Sequence, residues 1–341
     1  MKLIKLLSIL LILYIYGCKS PEKQSANPAE SPGSEKIALL PSWNEGPAKQ
    51  QIMEFVRKAT TEGDSGFIPV SQRIAVFDND GTLWAEKPVY FQLLFAIDRV
   101  KDLADEHPEW QNEQPFKAIL ENDMETLSQI GHKELFKIIM ATHSDTTAEE
   151  FRNIVNDWMA KARHPKTDRP FTEMVYQPML ELIDYLKAHD FKTYIVSGGG
   201  IEFMRAWVED VYGTPPSHVI GSSIKSAFAV QEGKPVIKRL PDMEFLDDKE
   251  GKPVAINRFI GKVPVFAAGN SDGDLQMLQY SAGKVPSLQL YVHHTDSIRE
   301  CAYDRESKVG KLDKGLDMAR EKGWVVVDMA KDWDKVFMWE E

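Results

Sequence analysis

Three short apolar runs, far apart along the chain, each break off into a cluster of small polar residues. Ile74-Ala75-Val76-Phe77 gives way to Asp78-Asn79-Asp80-Gly81-Thr82. Lys192 to Val196 gives way to Ser197-Gly198-Gly199-Gly200. Val263 to Ala268 gives way to Gly269-Asn270-Ser271-Asp272-Gly273-Asp274. Runs of this length, bounded by glycine-containing polar turns, read as buried strands. Residues 288–292 and 324–327 look similar, and helical periodicity fills the intervals at 179–188, 201–211 and 275–280. A further amphipathic stretch at 48–59 puts Ile52, Phe55, Val56 and Ala59 on one face. Strands alternating with helices predict an α/β domain with a mostly parallel sheet. Such sheets bind ligands beyond the carboxyl ends of their strands, which is where the three polar clusters fall.

Residues 84–170 have another character. Helical patterns at 91–103, 116–129, 133–141 and 148–162 follow one another with few strand-like stretches, so this segment reads as a helical insertion. No internal repeat of solenoid or propeller period is present. A length of 341 residues accommodates an α/β core with such an insertion. Hydrophobic residues at 43% and charged residues at 27% exclude a wholly disordered or collagen-like chain. The formal charge of −11 gives no overall attraction to nucleic acid or anionic lipid, so an anionic substrate requires a locally built positive site.

The clusters carry distinct chemistry. Two carboxylates on one tight turn, Asp78 and Asp80, repel unless a positive group sits between them, and oxygen ligands suit Mg²⁺. One carboxylate is then a nucleophile and the other a proton-transfer group. At Ser197-Gly198-Gly199, a hydroxyl and unhindered backbone N–H groups at a helix start suit an anion. The 269–274 cluster supplies further oxygens. An EF-hand reading fails, because position 12 of a loop beginning at Asn270 is Ser281 rather than Glu.

Asp78-Asn79-Asp80-Gly81-Thr82-Leu83 resembles the first signature of the haloacid dehalogenase (HAD) superfamily, in the form carried by its phosphatases. Ser197-Gly198-Gly199 resembles the second motif as phosphoserine phosphatase-like members carry it, and Gly269-Asn270-Ser271-Asp272-Gly273-Asp274-Leu275 resembles the fourth. The third motif is a lysine, for which Lys252 in Gly251-Lys252-Pro253 is the choice over Lys234, Lys238 and Lys262.

The resemblance implies a Rossmann-like three-layer core with a helical cap inserted after the first strand. It implies that Asp78 attacks phosphorus to form an aspartyl-phosphate, and that Asp80 protonates the leaving oxygen and then activates water. It implies Mg²⁺ held by Asp78, Asp80 and the fourth motif, where Asn270 stands at the position of an aspartate, with Asp274 and also Asp272 as further ligands. Ser197, Gly198 and Lys252 would hold the phosphoryl oxygens. Asp80 favours phosphoryl transfer, since dehalogenases of this superfamily lack that second aspartate. Trp84, Glu86, Tyr90, Arg163 and His164 are candidates to face the substrate. His293-His294 lacks evident further ligands for a metal.

At the amino terminus, Lys2 and Lys5 precede an apolar run from Leu6 to Tyr16, too short to be read as a membrane span and typical of an export signal. Ile15-Tyr16-Gly17-Cys18 resembles the lipobox of bacterial lipoproteins, which implies cleavage before Cys18 and lipidation of that cysteine. Cys301 is then a free thiol. Residues 18–47, rich in Pro, Ser, Glu and Lys, read as a flexible tether. The expected organisation is a signal peptide at 1–17, a tether at 18–47, an α/β core at 48–83 and 171–341, and a cap at 84–170. The expected function is a Mg²⁺-dependent phosphomonoester hydrolase, exported to the bacterial cell envelope and held there through a lipid anchor only. Its substrate would be a small phosphoserine-like or phosphocholine-like compound. A non-catalytic lipoprotein binding a phosphorylated ligand, or a phosphotransferase, are the alternatives.

Overall fold

In a computed structural model of the chain, residues 39–127 and 129–340 are described. The expected signal peptide, Cys18 and the first part of the expected tether lie outside them. Among the described residues, seven strands form one sheet in the order β4-β3-β2-β1-β5-β6-β7. These are β1 (Ile74–Phe77), β2 (Lys192–Gly200), β3 (Val219–Gln231), β4 (Lys234–Phe245), β5 (Phe266–Gly269), β6 (Leu288–His293) and β7 (Val325–Asp328). Every pairing is parallel except β3 with β4. The fold is the expected α/β class.

The apolar runs form central strands because both faces of the sheet are covered. Side chains alternate between two cores. Ala75, Phe77, Phe266, Ala268, Leu290 and Val292 point into one, with Ile52 and Val56 of α1 (Pro47–Thr60) and Leu182 and Leu186 of a later helix, Gln177–Ala188. Ile74, Val76, Ala267 and Tyr291 point into the other, against helices Gly251–Phe259, Leu275–Ala282 and Lys314–Lys322. A sheet between two helical layers results.

The insertion after β1 is helical. It comprises α2 (Phe91–Leu103), α3 (Phe116–Leu120), α4 (Met124–Leu127), α5 (His132–His143) and α6 (Ala148–Lys161). Ala96, Val100, Trp110, Phe116, Ile119 and Ile138 give it a core of its own. Phe91 and Phe95 of α2 reach the main core instead, so α2 ties the insertion to the sheet. The periodic stretch 116–129 is not one helix. Asn122 adopts a positive φ of 53°, and the Asp123 carboxylate accepts from the Thr126 amide to start α4.

The remaining helices are α7 (Gln177–Ala188), α8 (Ile201–Arg205), α9 (Val208–Tyr212), α10 (Gly251–Phe259), α11 (Leu275–Ala282), α12 (Lys314–Lys322) and α13 (Met329–Asp332). The stretch 201–211 divides into α8 and α9 at Trp207, which is buried and stacks on Trp84.

Two further expectations are corrected. Residues 39–46, assigned by composition to the tether, belong to the folded body. Leu40 and Trp43 are buried, and the Trp43 indole N–H donates to the Pro178 carbonyl at 2.9 Å. The β3–β4 hairpin was not expected at all. It carries Lys234 and Lys238 away from the carboxyl ends of the central strands, and Lys262 donates to the Ser71 carbonyl on the surface.

Candidate active site

Parallel pairing brings the ends of the central strands into line. Phe77 stands between Ile195 of β2 and Ala268 of β5. The residues that follow are therefore neighbours in space, and Asp78 donates its amide to the Ala268 carbonyl at 2.9 Å. β2 continues through Ser197 to Gly200 with an irregular register, Ser197 facing Gly221 and Gly200 facing Ser222.

Lys252 opens α10 and is buried at the centre of this edge. Its ammonium lies 2.6 Å from Asp78 Oδ1, 2.6 Å from Asp274 Oδ1 and 2.8 Å from the Val196 carbonyl. All three of its donors are used. Asp274, Asp78 and Asp247 together outweigh its burial and hold it charged. Asp274 Oδ2 accepts from the amides of Asn270 and Ser271, each at 3.0 Å. Both Asp274 oxygens are thus committed to the lysine and to its own loop.

The second Asp78 oxygen faces elsewhere. The Thr82 hydroxyl lies 3.4 Å from Asp78 Oδ2 and 3.3 Å from Asn270 Oδ1. Burial and the charge of Asp274 push the Asp78 carboxyl well above its ordinary range, against the pull of Lys252. Asp80, partly buried, is pushed up to about 6 by burial, opposed by the Trp84 indole and Lys252. That indole donates to Asp80 Oδ1 at 2.8 Å, while Asp80 Oδ2 lies beside Gly199. Trp84 therefore orients Asp80 instead of facing a substrate.

In the second cluster, the Ser197 hydroxyl accepts from the Gly199 amide at 3.0 Å. Gln92 of α2 accepts from the Gly200 amide at 2.7 Å, and its Nε2 lies 2.9 Å from His143 Nε2 of α5. Burial and Arg239 depress His143 to about 3, so this imidazole is neutral and Gln92 donates to it. Gln92 thereby joins the insertion to the glycine turn.

The other candidates fall in different places. Asp272 is turned away: its carboxylate accepts from the amides of Asp313, Lys314 and Gly315 at the start of α12. An oxygen acceptor serves a helix start as well as a cation, which is why sequence reading does not separate the two. Arg163 is exposed and donates to carbonyls at the end of α6. His164 is buried 2.8 Å from the Lys87 carbonyl. His294 lies 2.7 Å from the Gly81 carbonyl and 3.3 Å from Glu300, so it supports the first cluster. Tyr90 is partly exposed beside the site.

Glu86 is buried against the third cluster. Its Oε1 accepts from Asn270 Nδ2 at 2.7 Å and from the Tyr303 hydroxyl at 2.6 Å. Burial raises its carboxyl well above the usual range; Tyr303 opposes this, while Asp80 and Asp78 add to it. Asp247, just after β4, is completely buried beside Gly198, and neither carboxyl oxygen has a hydrogen-bond partner among the described residues. Gln92, Asp247 and Tyr303 were all missed from sequence. Only Asp247 carried a signal, its place in the acidic run preceding Lys252.

The donor set fits a hard divalent cation. Asp78, Asp80, Glu86, Asp247 and Asp274 crowd one edge, and among the described residues Lys252 is the one cation in direct contact with Asp78 and Asp274. Four of the five carboxyls are raised, chiefly by burial and further by the charge of neighbouring carboxylates. Among the described residues no group of three or more His, Cys, Asp or Glu side chains is arranged to hold a metal ion. Mg²⁺ needs only one or two carboxylates and completes its shell with carbonyls, water and substrate. A cavity of about 1040 Å³ is no rival: it lies between α1 and α12 at the opposite, amino ends of β6 and β7.

A family model described as haloacid dehalogenase-like hydrolase matches residues 75–279, more than half of the chain. No curated protein matches it. Among solved structures, a conserved functionally unknown protein from Anaerococcus prevotii DSM 20548 is similar at 17% identity and a TM-score of 0.51, over 82% of this chain and 91% of that one. A protein of unknown function from Bordetella pertussis Tohama I has 16% identity and a TM-score of 0.46, over 76% and 99%. A probable phosphoserine phosphatase from Vibrio cholerae has 13% identity and a TM-score of 0.37, over 74% and 68%.

Proposed function

The chain belongs to the haloacid dehalogenase-like hydrolases, and from that premise we propose that it is a Mg²⁺-dependent phosphomonoester hydrolase acting through an aspartyl-phosphate. The observation that carries the reading is one arrangement. Lys252 binds Asp78 and Asp274, and Asp80 stands beside them with its free oxygen toward the Ser197–Gly199 turn.

Asp78 is the nucleophile. A bond forms between its carboxylate oxygen and phosphorus as the bond from phosphorus to the ester oxygen breaks. Asp80 gives its proton to that leaving oxygen, and an alcohol departs. At about 6, this carboxyl retains a protonated fraction near neutrality, as a general acid requires. Ionised Asp80 then takes a proton from water as the water oxygen attacks phosphorus. Inorganic phosphate leaves and Asp78 is restored. Ser197 and the Gly198 amide hold the phosphoryl oxygens, and Lys252 exchanges one of its three present contacts for a phosphoryl oxygen and offsets charge between Asp78 and the incoming phosphate. Mg²⁺ would be held by Asp78, the Asp80 main-chain carbonyl and Asn270, and would supply charge stabilisation at the phosphoryl oxygens.

The substrate in this reading is a small phosphomonoester, with no role for nucleic acid. Residues 84–170 serve as the cap that excludes water and selects the leaving group. The protein is exported and anchored through Cys18.

The purified protein with Mg²⁺ is expected to hydrolyse members of a panel of small phosphomonoesters. Asp78→Asn is expected to lower turnover by about 10³-fold or more, as for loss of other covalent nucleophiles. No hydrolysis across the panel, or full activity in Asp78→Asn, overturns the proposal.

A further inference from the structure

Asn270 brings a neutral amide to a position where the resembling motif carries an aspartate, so its contribution depends on which end of the amide faces the cation. The structure shows what decides that. Asn270 Nδ2 donates to Glu86 Oε1 at 2.7 Å, and the Tyr303 hydroxyl donates to the same oxygen at 2.6 Å. Oε1 accepts both bonds whether or not Oε2 carries a proton. With its nitrogen bound on this side, the amide turns its carbonyl oxygen toward the Thr82 hydroxyl and the Asp78 carboxylate.

Two glycines make room for this contact. Gly81 and Gly310 have φ of +77° and +68°. A Cβ at either would collide with Glu86 Oε1, and one at Gly81 would also collide with Asn270 Nδ2. The close approach of Glu86 to Asn270 is therefore built by three distant segments, ending at residues 86, 270 and 310. Lys87 reinforces it by donating to Ser307 Oγ at 2.7 Å and to the Val309 carbonyl at 2.8 Å.

We propose that Glu86 is a positioning residue for the cation site: by holding Asn270 Nδ2 it aims the Asn270 carbonyl oxygen at the cation. Hydrogen-bonding partners of metal ligands act in this way in general, and their loss costs about 10- to 100-fold in metal affinity. The inference rests on the Mg²⁺ reading above.

Exchange of the two groups tests it. In Glu86→Gln an amide faces an amide, so the acceptor is no longer fixed and either partner is free to turn. In the double variant Glu86→Gln/Asn270→Asp, amide and carboxylate have changed places, and one donor again meets one acceptor. Mg²⁺ binding to the substrate-free proteins is measured by titration calorimetry, with circular dichroism to establish folding. Glu86→Gln is expected to bind Mg²⁺ about 10- to 100-fold more weakly than wild type, and the double variant to recover most of that loss. Wild-type affinity in Glu86→Gln, or a loss that the double variant does not recover, overturns the inference. If Glu86→Gln does not fold, the double variant decides alone: binding near wild type upholds the inference and lost binding overturns it. Absence of Mg²⁺ binding in the wild type is a separate result that overturns the metal reading itself.

Discussion

Asp247 is the residue whose environment is hardest to reconcile with a merely structural role. It has no exposed surface, and neither oxygen has a hydrogen-bond partner among the described residues. Burial pushes its carboxyl up to about 7, with Lys252 opposing and Asp248 and Asp274 adding to the rise. The folded protein therefore holds this proton more tightly than the unfolded chain does. The stability this contributes is fully present below about pH 4 and is lost as pH rises through about 7, by roughly 4 kcal/mol at most. Asp247→Asn has nothing to ionise. It is expected to be more stable than wild type at pH 8 and no more stable at pH 4, read from urea unfolding midpoints at the two pH values. The pH slope is expected to lessen and not to vanish, because Asp78 and Glu86 are shifted in the same direction. An unchanged slope in the variant would refute this assignment of the charge. Asp272 marks the opposite outcome among the acidic residues. It has the composition of a ligand, yet it satisfies three amides that the start of α12 leaves open.

At the level of elements, the strands that position the site were legible because their burial is two-sided. Ile74–Phe77 is buried at every position, so its apolar character is uninterrupted in the sequence. The β3–β4 hairpin was illegible for the converse reason. β3 is buried only over its first three residues, and β4 carries Pro235 and Pro241 and is mostly exposed. Its strand character comes from pairing and not from a pattern. The three polar clusters were visible as local strings. Gln92, Tyr303 and Gly310 were not, since each reaches the site through tertiary contacts from a segment without a short motif. The hairpin also holds two residues of opposite fate. Arg239 is buried, donates to the His143 carbonyl at 2.7 Å and lies 4.1 Å over the Phe151 ring, fastening the hairpin to α5 and α6. Phe228 is 70% exposed. Arg239→Ala is expected to cost about 1–3 kcal/mol, and Phe228→Ser to change stability by no more than about 0.5 kcal/mol. Urea unfolding of the two variants checks the contrast, and equal losses would contradict it.

For the whole molecule, the charge bears on where it resides. In the proposed export reading, cleavage before Cys18 removes Lys2 and Lys5 and leaves 39 basic against 52 acidic residues, a net charge of −13. A body of that charge is repelled by an anionic lipid surface. No helix among the described residues is long and apolar enough to cross a membrane. In the proposed export reading, retention at a membrane thus falls to the lipid on Cys18, with residues 19–38 before the first described residue, Leu39. One acyl chain binds only marginally, so the multiply acylated cysteine of a lipoprotein is what this reading requires. Cell fractionation separates this from electrostatic attachment, since salt screens charge and leaves hydrocarbon burial intact. The wild type is expected to stay with membranes through a wash at high salt, and Cys18→Ala is expected in the soluble fraction at low salt. Membrane retention of Cys18→Ala, or release of the wild type by salt, would show that something other than a lipid on Cys18 holds this acidic body to the surface.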